Sequence, residues 1–174
     1  MADKGKDKGN GKSDGAAEPE QQAAFNLQKT YIKDVSFESP LSPDVFIQQV
    51  SPQIDIQVNI DHGILDDKNA VFEVVLTGTV TAKLDDKTVF LTEVHQAGVF
   101  QIKGVGDAEL DMVLEIACPN ILLPFLREAI ADLVTKGGFP QLLLNPINFE
   151  VLYQQKQEAQ AGEKTKPEKK AKQA

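Results

Sequence analysis

Four of the chain's nine prolines fall within one apolar stretch, Cys118 to Phe149 (CPNILLPFLREAIADLVTKGGFPQLLLNPINF). Proline fixes φ and removes a backbone donor. The spacing of Pro119, Pro124, Pro140 and Pro146 therefore predicts short pieces, with no long helix or central strand running through unbroken. Leu142, Leu143 and Leu144 then fall in a loop between Phe139-Pro140 and Asn145-Pro146. Connecting segments ordinarily run over the wet surface. A loop this apolar is either covered by a partner subunit or lines an apolar site, and that choice decides the function.

Upstream the period is that of strands. Gln53 to Asp61 (QIDIQVNID) puts Ile54, Ile56, Val58 and Ile60 on one side and polar residues on the other, the mark of an antiparallel strand with one wet face. Val71 to Ala82 alternates in the same way, and Thr88 to Ile102 is a third long strand signal beyond a tight Lys83–Lys87 hairpin. Phe25 to Phe37 reads as the first strand, with Phe25, Leu27, Tyr31, Val35 and Phe37 on one face. Short links between the four suggest an antiparallel meander. After Gly104-Val105-Gly106, Asp107 can cap a helix striped by Leu110, Val113, Leu114 and Ala117, interrupted at Pro119. Pro124 can restart a helix with Leu126, Ile130, Leu133 and Val134 on one side, stopped by Gly137-Gly138, and Asn145-Pro146 opens a last helix over about 147–157. Strands followed by two or three helices make an α+β domain. The helices carry more apolar surface than one sheet face covers, which points to self-association.

Residues 1–24 and 157–174 hold almost nothing to bury and are expected to be a disordered extension and a disordered basic tail around one domain over 25–156. Residues 25–153 carry 8 lysines and arginines against 18 acids. So acidic a body repels nucleic-acid phosphates and anionic lipid and attracts a basic protein surface instead. One cysteine excludes an internal disulfide, and no apolar run reaches the length of a membrane span or forms a secretory signal. A soluble cytoplasmic protein is the expectation.

Chemistry-bearing residues are sparse. His95 and Glu93 share a strand face, which makes an incomplete metal or acid–base site, and His62 reads as a turn residue in Asp61-His62-Gly63. Cys118 before Pro119 reads as a buried structural thiol. Asp107 and Glu109 after the Gly104–Gly106 pair would repel a phosphate, and there is no lysine-bearing phosphate loop. No constellation supports an enzyme, a cofactor or a metal.

Several segments together resemble one family. They are Phe25-Asn26-Leu27-Gln28 with Tyr31 through Pro40, Glu73-Val74-Val75-Leu76 with Val80-Thr81-Ala82, Phe90 through Phe100, Cys118 through Pro124, and Gly138 through Leu142 with Asn145 through Phe149. In order and spacing they are similar to SecB, the bacterial protein-export chaperone, over about 25–153. The resemblance implies a four-stranded antiparallel sheet in a homotetramer built as a dimer of dimers, with helices between the sheets. It further implies a cofactor-free, ATP-independent holdase that keeps unfolded secretory precursors competent for export and delivers them to the SecA motor.

By the same resemblance, the loop from Gly138 to Asn145 helps form the substrate groove, with Phe139, Leu142 and Leu144 as its lining and Phe37, Phe46, Ile121 and Leu122 behind. Asp34, Glu38, Leu91 and Glu93 match a SecA-facing acidic sheet surface, and Thr92, Val94 and Gln96 match positions that affect assembly. The long extension before Phe25 and the basic tail depart from the family. The competing expectation is a structural oligomerisation module whose apolar loop is permanently buried between subunits.

Overall fold

A computed structural model describes residues 23–48 and 51–164. The expected extension up to residue 22 and the tail from 165 lie outside the described residues. Four strands, β1 (Ala24–Glu38), β2 (Gln53–Asp66), β3 (Val71–Leu84) and β4 (Lys87–Lys103), form one antiparallel sheet in the order β1-β4-β3-β2. This is not the expected meander. β2, β3 and β4 follow one another through hairpins, but β1 lies beside β4, because the link over residues 39–52 is long enough to cross the sheet's end. The result is a Greek-key order.

The alternation in the sequence decides the faces. In register, Ile54 stands opposite Ala82, Ile56 opposite Val80 and Ile60 opposite Leu76. Val74, Leu76, Val80 and Ala82 of β3 and Phe90, Val94, Phe100 and Ile102 of β4 are buried on the inner face. A long helix lies across them and buries Leu122, Leu126, Ile130 and Val134. Each such side chain removed from water contributes about 1.5–3 kcal/mol. Gly98 lets the helix come close, since a Cβ there would stand 2.9 Å from Leu122 Cδ2.

The prolines do not break that helix. Helical backbone runs from Asp107 to Lys136 as α1 (Asp107–Met112), a π segment (Val113–Ala117) and α2 (Cys118–Lys136). Pro119 occupies the first turn of α2, immediately after the π segment, in which the Cys118 N–H bonds the Val113 carbonyl. Wider π turns relieve the clash between a proline ring and the carbonyl four residues back. Pro124 lies inside α2 on its exposed side, where water can serve the carbonyl that lost its donor. Gly106 rather than Asp107 takes the N-cap, with Asp107 and Glu109 complementing the helix dipole from the first turn. At the other end Gly138 (φ +87°) closes a Schellman motif, with Gly138 N–H to Thr135 O and Phe139 N–H to Val134 O.

The last helix, α3 (Phe149–Lys164), is capped by Asn148, whose Oδ1 accepts from the Glu150 and Val151 N–H groups at 3.0 and 3.2 Å. Neither Asn145 nor Pro146 belongs to it. It also runs past the expected end near Gln157, so residues 157–164, assigned to a disordered tail, are helical. Glutamine, glutamate, alanine and lysine are good helix formers.

β1 corrects a further expectation. Its pairing with β4 skips Gln28 and Lys33. Each bulge turns the following side chains over. Phe25, Leu27, Val35 and Phe37 thus share the inner face, while Tyr31 points outward, where its hydroxyl donates to Glu73. Lys33 adds an ion pair to the same carboxylate at 2.7 Å. The Lys33 bond, and then that of Tyr31, hold the Glu73 carboxyl below its usual range. A lowered folded pKa adds stability that is complete above the unfolded value, about 4.3, and is lost as pH falls through the folded one. Glu73→Gln is therefore expected to flatten the acid limb of stability below about pH 5, by under about 1 kcal/mol because solvent screens the site. Urea melts across that range check it; an acid limb identical to wild type would refute the assignment.

Candidate functional site

Four phenylalanines from four parts of the chain meet at one end of the sheet's inner face. Phe139 of the loop after α2 stands 4.8 Å from Phe90 of β4, 5.2 Å from Phe46 and 6.4 Å from Phe37 of β1, measured between ring centres. Phe37 and Phe90 stack at 5.9 Å. Such spacings suit aromatic pairs. Phe46 is brought in by a single 3₁₀ turn, Asp44–Ile47, which buries Val45 and leaves the Phe46 ring 49% exposed. Beside the rings lies an open groove of about 460 Å³, with Pro52 and Ile54 on one wall, Val134 and Leu142 on another, and Gln48, Ser51 and Gln141 at the rim. An apolar floor with a few rim amides and hydroxyls accepts apolar side chains without demanding one sequence.

Of the residues expected to line a groove, Phe37, Phe46, Phe139 and Leu142 are brought together here. Leu122 is not: it is fully buried on the sheet-facing side of α2. Ile121 is half-buried on α2 and does not line this groove. Leu144 is 2% exposed and faces a separate cavity of about 260 Å³ with Ile56, Val58 and Leu152. Leu143, between them, is 70% exposed and borders a shallow depression with Arg127, Glu128 and Asp132. The three leucines thus enter three surroundings. Phe90, Pro52, Ile54 and Val134 are lining residues the sequence reading missed. The alternation of β4 assigned Phe90 to a buried face, but only the loop's path reveals that the face stays open there.

The outer face is polar. Asp34 pairs with His95, Ser36 with Glu93 and Glu38 with Leu91 across β1 and β4, so Asp34, Glu38, Leu91 and Glu93 share one patch. Glu93 accepts from Thr79 Oγ1 at 2.9 Å and bonds His95 Nε2 at 2.9 Å, while His95 Nδ1 lies 3.3 Å from Thr77 Oγ1. The His95 bond, then that of Thr79, keep the Glu93 carboxyl below its usual range, so it stays charged at neutral pH. Histidine and glutamate here are tied to threonines on an open strand face and converge on no cleft.

Thr92, Val94 and Gln96 point the other way and are buried under the helix. Thr92 Oγ1 donates to the Ser36 carbonyl at 2.9 Å and Gln96 Nε2 to that of Tyr31 at 3.0 Å, fastening β1 to β4. They touch no surface, so any effect on assembly passes through the set of β1. His62 is likewise misplaced by the sequence reading. It sits inside β2 opposite Val74, because the strand continues to Asp66 before turning. Cys118 is buried, and burial pushes its thiol up to about 12, far from a nucleophile's range. Among the described residues no helix is long and apolar enough to cross a membrane.

A family model described as preprotein translocase subunit SecB matches residues 18–160. Proteins named protein-export protein SecB are similar to this chain along nearly their whole length. That of Methylobacillus flagellatus is 50% identical over 146 residues, covering 84% of this chain and 92% of the relative. That of Chromobacterium violaceum is 52% identical over 145 residues, covering 82% and 95%. Among solved structures, a SecB-like chaperone of Mycobacterium tuberculosis, in complex with a ChAD peptide from the HigA1 antitoxin, shares the fold with TM-score 0.58 at 13% identity. The match covers 71% of this chain and 91% of that one.

The aromatic cluster depends on Gly137, because a Cβ there would overlap the edge of the Phe37 ring, with Cε1 at 2.6 Å. Gly137→Ala is expected to displace that ring and cost about 1–3 kcal/mol. Gly63→Ala, with nothing within 4 Å of the added carbon, serves as the control. Denaturant midpoints compare the two; equal midpoints would mean the cluster is not close-packed.

Proposed function

Because the chain belongs to the SecB family of protein-export chaperones, we propose that it is a cytoplasmic, ATP-independent holdase that binds unfolded precursor chains in the aromatic groove. The carrying observation is the groove itself: Phe46, Phe139 and Leu142 around an open apolar hollow with a polar rim. Unfolded chains differ from folded ones in exposing apolar side chains, and a non-directional apolar contact at about 25 cal/mol per Å² accepts many sequences. A holdase acts by binding the unfolded state, so no step needs hydrolysis. The M. tuberculosis chaperone, solved in complex with a peptide, supports a fold that accommodates a polypeptide ligand.

Delivery is to the SecA motor through the acidic outer patch of Asp34, Glu38 and Glu93, with Leu91 as its apolar contact. Like-charged groups on one sheet face steer a basic partner and act mainly on its arrival rate. Assembly is a homotetramer, a dimer of dimers. Phe25, Ile32 and Val35 on β1 and Phe125 on α2 are each more than two-fifths exposed, a surplus of apolar surface that further copies would cover. Several weak grooves on one particle then gain avidity from effective concentration.

Replacing Phe46 and Leu142 with serine should weaken binding of a denatured precursor by at least about tenfold while leaving SecA affinity and particle mass unchanged. Glu93→Lys should do the reverse, lowering SecA affinity most at low salt. Light scattering and titration read all three. If neither variant alters precursor binding and the loop of 139–144 is fully protected from hydrogen exchange in the assembled protein, the chain is an oligomerisation module instead.

A further inference from the structure

His62 takes no part in the groove or the acidic patch. It lies eight residues along β2 from Ile54, about 26 Å at strand rise, on the inner face at the sheet's other end. Two carboxylates meet it there. Asp111 and Glu115 are four residues apart in the long helix and so lie on one face of it. His62 Nε2 stands 3.2 Å from Glu115 Oε1, and ligand atoms of His62, Asp111 and Glu115 all lie within 4.8 Å of one another. A tetrahedral metal with bonds of about 2.0–2.2 Å has ligand–ligand edges of about 3.3–3.6 Å. The histidine–glutamate pair is already close to that separation, and a ligand atom of Asp111 lies within 4.8 Å of both.

The surroundings are those of a cation site. The Glu115 side chain is only 6% exposed, and a carboxylate so buried requires compensating positive charge. The Lys156 ammonium of α3 supplies it by binding the same Oε1, but its side chain is 46% exposed and can swing into water. Asp111 Oδ2 accepts from the Tyr153 hydroxyl at 2.7 Å, the kind of outer bond that orients a metal-binding carboxylate.

We infer that His62, Asp111 and Glu115 form a site for a borderline divalent transition metal, for which zinc is the best match. One imidazole and two carboxylates suit zinc, with water in the fourth position. They are too few oxygens for calcium. The metal clamps β2 to the long helix and, through Tyr153, to α3. It stiffens the end of the molecule away from the groove and takes no part in client capture.

The test is equilibrium dialysis of the full-length, assembled protein against zinc near neutral pH. One zinc per chain is expected. His62→Ala and Glu115→Gln should weaken it by at least about tenfold and Tyr153→Phe measurably. Lys156→Met, which removes the competing ammonium, should tighten it, and His95→Ala should leave it unchanged. Precursor binding and particle mass in His62→Ala show that a lost zinc signal is not unfolding. Should that variant fail to fold, tighter binding by Lys156→Met decides alone. Zinc uptake unaffected by His62→Ala, lost in His95→Ala, or absent from both wild type and Lys156→Met overturns the site.

Discussion

The contact between the long helix and the inner faces of β3 and β4 is the constraint on which the rest of the structure depends. Strands lie about 4.8 Å apart and a helix with its side chains is about 10 Å across, so one helix covers about two strands of four. The burial follows that arithmetic. Val74, Leu76 and Val80 of β3 and Val94 and Phe100 of β4 are completely buried, while Ile54 and Ile56 of β2 and Phe25 and Val35 of β1 are 40–46% exposed. Apolar surface at both sheet edges is thus a consequence of having one helix for four strands. The loop after α2 roofs part of the β2 side and leaves the groove; the apolar β1 side stays exposed.

Period-2 alternation made most of the sheet legible in the sequence, because a strand with one wet face must segregate its side chains. What alternation cannot show is a bulge. Alternation puts Tyr31 with Phe25 and Phe37, yet the skipped Gln28 turns it to the other face beside Glu73, and the skipped Lys33 turns the strand back before Phe37. Nor does it reveal neighbours: β1 joins β4, and nothing local in Phe25 to Phe37 distinguishes that from pairing with β2. The prolines misled for a physical reason. Their usual cost assumes a regular α turn and a buried carbonyl, and here a π turn precedes Pro119 while Pro124 faces solvent. Tertiary burial of Leu122, Leu126 and Ile130 outweighs what remains of that cost.

In the loop after α2, the sequence shows the apolar character but cannot sort the leucines. Phe139 to Leu144 has no regular period, so the direction of each side chain is set by the path of the backbone around the end of α2. That path makes Leu142 lining, Leu143 solvent-facing and Leu144 core. Phe37, Phe46 and Phe139, which the resemblance implies as groove residues, meet in the aromatic cluster, whereas Leu122, equally apolar, belongs wholly to the helix–sheet contact.

The same alternation separates the two surfaces on which the proposed function rests. Along β4, Phe90, Thr92, Val94 and Gln96 point to the helix, and Leu91, Glu93 and His95 point away. The aromatic cluster and the acidic patch are therefore built from neighbouring residues, one sheet thickness apart. Charge at Glu93 stays hydrated on the outer side and adds no desolvation cost to the Phe90 side. On the proposed function, a client in the groove would leave the acidic face open, so binding a precursor and docking on a basic partner would not compete for surface. Phe37 and Glu38, adjacent in β1, express the same division: one ring in the cluster, one carboxylate in the patch.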